Sequence, residues 1–234
     1  MKTIGFIGAY DKTDFIIYVA KALTVLGKKV LVIDNTMIQK ARYIVPAINP
    51  TKAYVTEYEK IDVSVGFSNY EEIKRYLGIQ EEKELEYDIA LIDVDSIENF
   101  EKFNIKNCEK NYFVTSFDLY SLKKGLEILN QIEEPIKLTK ILFAKDVLKE
   151  ENEYLDFLSL GTKVIWNEDY KVYFPMDNGD QSVIIENQRV SKIGIRKLSS
   201  HYKESLYYIV EDIAGDDISS QELKKAFKLL EKEV

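Results

Sequence analysis

The sequence contains one histidine, His201, and one cysteine, Cys108. A lone cysteine cannot form an intramolecular disulfide, which is typical of proteins in a reducing compartment. Zinc sites and histidine-based catalytic triads need several partner residues, and neither His201 nor Cys108 has a His or Cys partner. Both kinds of site are therefore excluded, and we expect a structural Cys108 and a His201 on a helix surface.

Long apolar runs are also missing. Runs such as "ILFA" and "LYYIV" are far shorter than a helix that crosses a bilayer, which needs about 20 residues. The N-terminal stretch "MKTIGFIGAYDK" differs from a signal peptide because Asp and Lys interrupt its apolar segment. We therefore expect a cytoplasmic protein without direct membrane insertion.

Positive charge is in the minority. The 234 residues include 32 Lys and Arg against 40 Asp and Glu, which gives a net charge of -8. An acidic chain repels nucleic-acid backbones unless it carries a local basic patch. The nearest approach to a patch is a scattered set typical of a solvated surface: Arg189, Lys192, Arg196, Lys197 and Lys203. We expect no nucleic-acid partner.

What the sequence does contain is an alternation of short β-rich runs with segments of helical periodicity. This alternation predicts an α/β fold, doubly wound, with a mainly parallel sheet and helices on both faces. The predicted strands include 3–8, 28–34, 87–95, 111–116 and 138–145, with two short runs "TKVIW" and "KVYFP" further on. The predicted helices include 14–27, 69–78, 118–132, 178–188, 200–214 and 219–232.

No linker or repeat interrupts the pattern, so we predict a single domain over 1–234 with C-terminal helices within 200–232. The last helix has apolar residues at 223, 226, 229 and 230, the stripe of an amphipathic helix. Because its lysines are balanced by glutamates, we expect it to pack on the domain or on a partner rather than on lipid.

Polar residues follow the predicted strands at their carboxyl ends, where open parallel sheets bind ligands. Gly8, Lys12 and Thr13 follow the first strand, Asp34 follows "VLVI" and Asp93 follows "IALI". Each aspartate by itself is typical of an ordinary turn or helix cap. Together with the Lys-Thr pair they predict a phosphate-binding edge, and these five residues are the candidate nucleotide and magnesium site.

Three stretches carry a resemblance: "IGFIGAYDKTDFIIYVAKALTVLGKKVLVIDNT", "YDIALIDVDS" and "YFVTSFDLYSLKKGLEIL". They resemble the phosphate loop, the Walker B strand and a later conserved segment of the MinD/ParA family of deviant-Walker P-loop ATPases. The resemblance implies a P-loop NTPase fold. It also implies that Lys12 and Thr13 belong to the phosphate loop, and that Asp34 and Asp93 lie where they could hold Mg²⁺ through water.

The same comparison shows departures from the family loop, which reads roughly G-K-G-G-x-G-K-T. Ile7 falls at the signature lysine, Asp11 at the glycine before the loop lysine, and Thr36 at the second Walker A′ aspartate. Ala144 falls where the family commonly has the asparagine that reads adenine. The departures imply that hydrolysis is lost and that ATP and Mg²⁺ bind weakly or not at all. We also hypothesise that Asp11 neutralises Lys12 inside an empty loop.

Members of the family with decayed loops resemble the TadZ/CpaE group, and this implies a non-hydrolysing scaffold or localisation factor. Its partners would be proteins of a membrane-associated pilus, secretion or conjugation machine, which could recruit it to the membrane. The resemblance also allows a homodimer through the face that would carry nucleotide. One alternative is a weak ATPase that acts in partitioning or positioning. Another is a receiver-like phospho-acceptor domain, because Asp34, Asp93, Thr115 and Lys145 imitate the order of receiver residues.

Overall fold

The computed structural model describes residues 1–48, 50–80, 82–145 and 149–232. Its strands are β1 (Lys2–Ile7), β2 (Val30–Asn35), β3 (Tyr54–Tyr58), β4 (Ile61–Val65), β5 (Ile89–Val94), β6 (Lys110–Ser116), β7 (Ile136–Ala144) and β8 (Val164–Pro175). They form an eight-stranded sheet in the order β3-β4-β2-β5-β1-β6-β7-β8. The β3–β4 pair is antiparallel and the other pairs are parallel. The predicted α/β class with a mainly parallel sheet is confirmed.

The helices are α1 (Thr13–Val25), α2 (Ala41–Ile44), α3 (Tyr70–Tyr76), α4 (Ile97–Lys102), α5 (Leu119–Gln131), α6 (Lys149–Leu158), α7 (Asn178–Val190), α8 (Ser200–Ala214) and α9 (Ser220–Leu230). One core cluster joins the sheet to α1, α8 and α9, and a second joins it to α3, α4 and α5. Helices therefore cover both faces, as a doubly wound sheet requires. None of the helices in the described part of the chain is long and apolar enough to cross a membrane.

The central strands owe their place to unbroken apolar runs. Every residue of β2 and of β5 is buried, as expected for strands covered on both faces. Alternation along β1 sends Phe6 into the α1 side of the core and Ile7 into the opposite side. In the sheet register, Asp34 of β2 and Phe6 of β1 both lie beside Asp93 of β5.

The structure corrects two details of the sequence prediction. "TKVIW" and "KVYFP" are not separate strands but parts of β8, which pairs with β7 on both sides of a register shift. In α9 the buried residues are Leu223, Ala226, Phe227 and Leu230, while Leu229 is 55% exposed. The predicted apolar stripe was therefore wrong to include Leu229 and to omit Phe227. The packing of α9 on the domain is confirmed by its contacts with α1 and α8.

Candidate functional site

The turn between β1 and α1 is shaped by Gly8. Its φ is +140°, and a Cβ at this position would lie 2.1 Å from the carbonyl oxygen of Val114 on β6. Only glycine accepts both the φ and the close approach of a neighbouring strand. The residues from Ala9 to Thr13 all have negative φ, so Asp11 occupies the family's glycine position without a left-handed backbone.

Lys12 and Asp93 form a buried ion pair at the base of this turn. Lys12 Nζ lies 2.6 Å from Asp93 Oδ1 and donates a hydrogen bond of 2.7 Å to the carbonyl oxygen of Gly8. Both side chains are almost completely buried. Burial raises the pKa of Asp93 to about 7, although Lys12 opposes the rise and Asp34 adds to it. Neither Asp93 oxygen accepts a hydrogen bond of good geometry from the described residues.

Asp34 lies next to Asp93 in the sheet but uses both of its oxygens locally. Its Oδ1 accepts hydrogen bonds from the backbone N–H and the hydroxyl of Thr36, and its Oδ2 accepts one from the backbone N–H of Ala41. The carboxylate thus organises the segment between β2 and α2. Thr36 lies at the position of the family's second aspartate, and its hydroxyl donates one of these structural hydrogen bonds to Asp34.

Asp11 does not pair with Lys12. Its Oδ2 lies 2.5 Å from Lys40 Nζ, and its Oδ1 accepts a hydrogen bond of 3.3 Å from the backbone N–H of Thr13. Lys40 also contacts Asp14 Oδ2 at 2.5 Å. The hypothesis that Asp11 neutralises Lys12 is therefore wrong, since Asp93 performs that role. Sequence reasoning missed Lys40 altogether, because it lies 29 residues from Asp11 in a segment without a recognisable motif.

The turn keeps part of the chemistry that a phosphate group needs. The backbone N–H groups of Ala9, Tyr10, Asp11 and Lys12 have no acceptor among the described residues. Free N–H groups at a helix start, with a nearby lysine, are the donors that bind anions. Within the described residues, however, no group of three or more His, Cys, Asp or Glu side chains is placed to hold a metal ion. The turn thus offers hydrogen-bond donors to the phosphate part of a nucleotide.

A cavity of 330 Å³ adjoins the turn, between α1 and the connection from β8 to α7. Tyr10 forms one wall and stacks on Phe143 with ring centroids 4.7 Å apart. Burial, together with the nearby Asp11 and Asp118, raises the pKa of Tyr10 to about 12, so its hydroxyl stays neutral. Asp11, Asp14, Asp177 and Asp180 also line the cavity. Its aromatic surface could cover a planar group, and Lys40, which also lines the cavity, pairs with Asp11 and Asp14.

At two other positions where the family has functional side chains, this chain has residues that cannot contact a nucleotide in the same way. Ile7, at the signature lysine, is 0% exposed and packs in the core on the α4 and α5 side of the sheet. Ala144, at the adenine-reading asparagine, ends β7 and offers no side-chain hydrogen bond. The five predicted residues Gly8, Lys12, Thr13, Asp34 and Asp93 are nevertheless brought to one edge of the sheet by β1, β2 and β5.

Solved structures supply the comparison that decides the fold. A ParA family ATPase from Chlorobium tepidum TLS matches with a TM-score of 0.60 at 14% identity, over 90% of this chain and 98% of that chain. The fold is that of the ParA and MinD ATPases. The MinC:MinD cell division protein complex of Aquifex aeolicus matches at 0.52 and 13%, over 100% and 97% of the two chains. A plasmid partition protein from Borrelia burgdorferi B31, bound to AMPPNP, matches at 0.54 and 12%, over 93% and 100%.

No family model and no curated protein sequence matches the chain. At 12–14% identity, the structural likeness establishes the fold and not the activity. It leaves the receiver interpretation without support. Asp93 is buried against Lys12 instead of open to a phosphodonor, and Thr115 is 0% exposed.

Proposed function

We propose that this ParA/MinD-like chain is a non-hydrolysing scaffold or localisation factor for a membrane-associated pilus, secretion or conjugation machine. It would be cytoplasmic and would reach the membrane through its protein partners. Its nucleotide face would be vestigial or would bind ATP and Mg²⁺ only weakly.

The observation that carries this proposal is the burial of Ile7 at the position of the signature lysine. A core residue on the face of the sheet opposite α1 cannot bring a positive charge to a phosphate group. Transition states of phosphoryl transfer are stabilised mainly by such positioned charges. The hydroxyl of Thr36, bound to Asp34, cannot replace a carboxylate that positions the attacking water.

A second candidate is a weak ATP-binding protein that acts in partitioning or positioning. The N–H groups from Ala9 to Lys12, which have no acceptor among the described residues, favour this second candidate. So does the presence of Lys12 and Thr13 at the start of α1. In this case Lys12 would leave Asp93 to contact the phosphates. The two candidates differ in a property that can be measured directly, which is the affinity for nucleotide.

The test is a calorimetric titration of the purified protein with ATP·Mg²⁺, beside an assay of phosphate release. The same measurements are made on Lys12→Met, which removes the charge but keeps the side-chain stem. We expect no saturable heat up to millimolar nucleotide, and no phosphate release above that of the variant. Micromolar binding that disappears in Lys12→Met would replace the scaffold with the nucleotide-binding candidate.

The surface supports a protein partner. Met37 and Ile38, which follow β2, are 81% and 75% exposed, and Leu119 and Tyr120, at the start of α5, are 66% and 68% exposed. All four lie at the carboxyl edge of the sheet, on both sides of the Gly8–Lys12 turn. Exposed apolar groups gathered at one edge are typical of interaction surfaces. A second copy of the chain is one such partner.

A further inference from the structure

The Asp11 carboxylate occupies a position that an external anion would need. Its Oδ1 accepts the backbone N–H of Thr13, the first residue of α1. The start of a helix attracts negative charge because its N–H groups are unpaired and its dipole is positive there. In this protein the negative charge at the start of α1 is the carboxylate of Asp11.

Lys40 fixes the carboxylate in that position. Its ammonium contacts Asp11 and Asp14 at 2.5 Å each. Burial lowers the pKa of Lys40, but Asp14 and Asp11 outweigh burial and leave the pKa above its ordinary value, so the ammonium stays charged. The segment that carries Lys40 is itself anchored, because Asp34 accepts the N–H of Ala41 and Asp95 accepts the N–H of Met37.

We propose that the phosphate loop is autoinhibited, with the Asp11 carboxylate as an internal ligand at the start of α1 and Lys40 holding it there. The inference rests on the proposed function, because it explains how the same loop is kept from phosphate groups. A phosphate bound by the N–H groups of Ala9 to Lys12 must approach the negative charge of Asp11, and it reaches the N–H of Thr13 only by displacing that carboxylate. The cost lies in the side chain and not in the backbone, since the φ of Asp11 is negative.

Asp14 provides a matched control. It contacts the same lysine at the same distance, but its other oxygen accepts a hydrogen bond of 2.7 Å from Gln188 Nε2 instead of a loop N–H. Asp11→Ala and Asp14→Ala therefore remove the same charge from the same cluster. Only the first clears the N–H group of Thr13.

The experiment titrates ATP·Mg²⁺ into the wild-type protein, Asp11→Ala, Asp14→Ala and the double variant Asp11→Ala/Lys12→Met. Where the wild type shows no saturable heat up to millimolar nucleotide, we expect Asp11→Ala to saturate within that range, a gain in affinity of at least about tenfold that is typical of removing one close like charge. Asp14→Ala should bind as the wild type does, and the double variant should lose the gain. Circular dichroism confirms folding, and Asp11→Gly, which also removes the carboxylate and clears the N–H group of Thr13, replaces Asp11→Ala if the latter does not fold.

Two results would overturn the inference: no gain in Asp11→Ala or its substitute, or an equal gain in Asp14→Ala, which would reduce the effect to net charge. Tight binding by the wild type tests something else. It would refute the vestigial nucleotide face but leave the inference standing if Asp11→Ala still binds about tenfold more tightly. The failures of the two proposals are therefore distinguishable.

Discussion

At the scale of single residues, each charged group of the site is bound by partners from the chain itself. Lys12 is bound by Asp93 and the Gly8 carbonyl, Asp34 by Thr36 and Ala41, and Asp11 by Lys40 and Thr13. A buried charge without a partner is costly, so a site that works without a ligand must supply its partners from the chain. This need explains why Lys12 and Asp93 have a structural role even if no nucleotide binds.

Replacing Lys12 should therefore destabilise the protein in the absence of any nucleotide. Lys12→Met removes the charge that lowers the pKa of Asp93, so at pH 8 the buried carboxyl group either stays ionised without a partner or takes up a proton, and both cost stability. We expect the free energy of unfolding to fall by about 3 kcal/mol in urea denaturation. Adding Asp93→Asn should restore much of the loss, because the unpaired charge is then gone.

The control is Lys102→Met, which breaks an exposed ion pair with Glu98 on α4 and should leave stability unchanged. If Lys12→Met were as stable as this control, the buried pair would contribute nothing to the fold. Lys12 would then have no structural role in the protein without nucleotide.

At the scale of elements, α9 shows how one helix divides into a packed and an open face. Leu223 is 2% exposed and lies in the core cluster with residues of α1 and α8, whereas Leu229 on the same helix is 55% exposed. The helix also has a complete capping box, in which Ser219 and Glu222 bond each other's backbone N–H. The apolar stripe of α9 therefore packs against other helices of the same chain.

Two leucines of α9 test this division. Leu223→Ala should lower the free energy of unfolding by about 3 kcal/mol, because it opens a cavity in the core. Leu229→Ala, on the exposed face, should leave it nearly unchanged. Urea denaturation of both variants is the measurement. Equal effects at the two positions would mean that α9 does not pack as described.

At the scale of the whole molecule, the two ends of the sheet differ. The carboxyl edge carries the site and the exposed Met37, Ile38, Leu119 and Tyr120. At the amino edge, Leu160 precedes β8 and is 73% exposed. If the chain forms a homodimer through the face that would carry nucleotide, only the first of these edges should matter for association.

Sedimentation velocity over a range of protein concentrations tests the dimer. We expect Leu119→Asp to weaken self-association by at least about tenfold, because it places a charge in an apolar interface. Leu160→Asp, the same change at the opposite edge, should leave association unchanged. A wild-type protein that is monomeric throughout, or equal effects of the two variants, would contradict a dimer at the carboxyl edge.

The sequence by itself determined the α/β class, most of the strands and helices, and the five polar residues at the carboxyl ends of β1, β2 and β5. Those features follow from local causes: apolar periodicity, helix caps such as Asn69 and Asp118, and the rule that parallel strands end at one edge. The single-domain organisation over 1–234 and nucleotide binding by the five residues stay predictions.

Only the tertiary structure decided which charges meet. Sequence proximity paired Asp11 with Lys12, but the fold pairs Asp11 with Lys40 and Lys12 with Asp93, across separations of 29 and 81 residues. Neither pair follows from a periodic pattern in the sequence, because each joins residues from separate segments that the fold brings together. Electrostatic partners are set by distance and burial, which the order of residues along the chain does not specify.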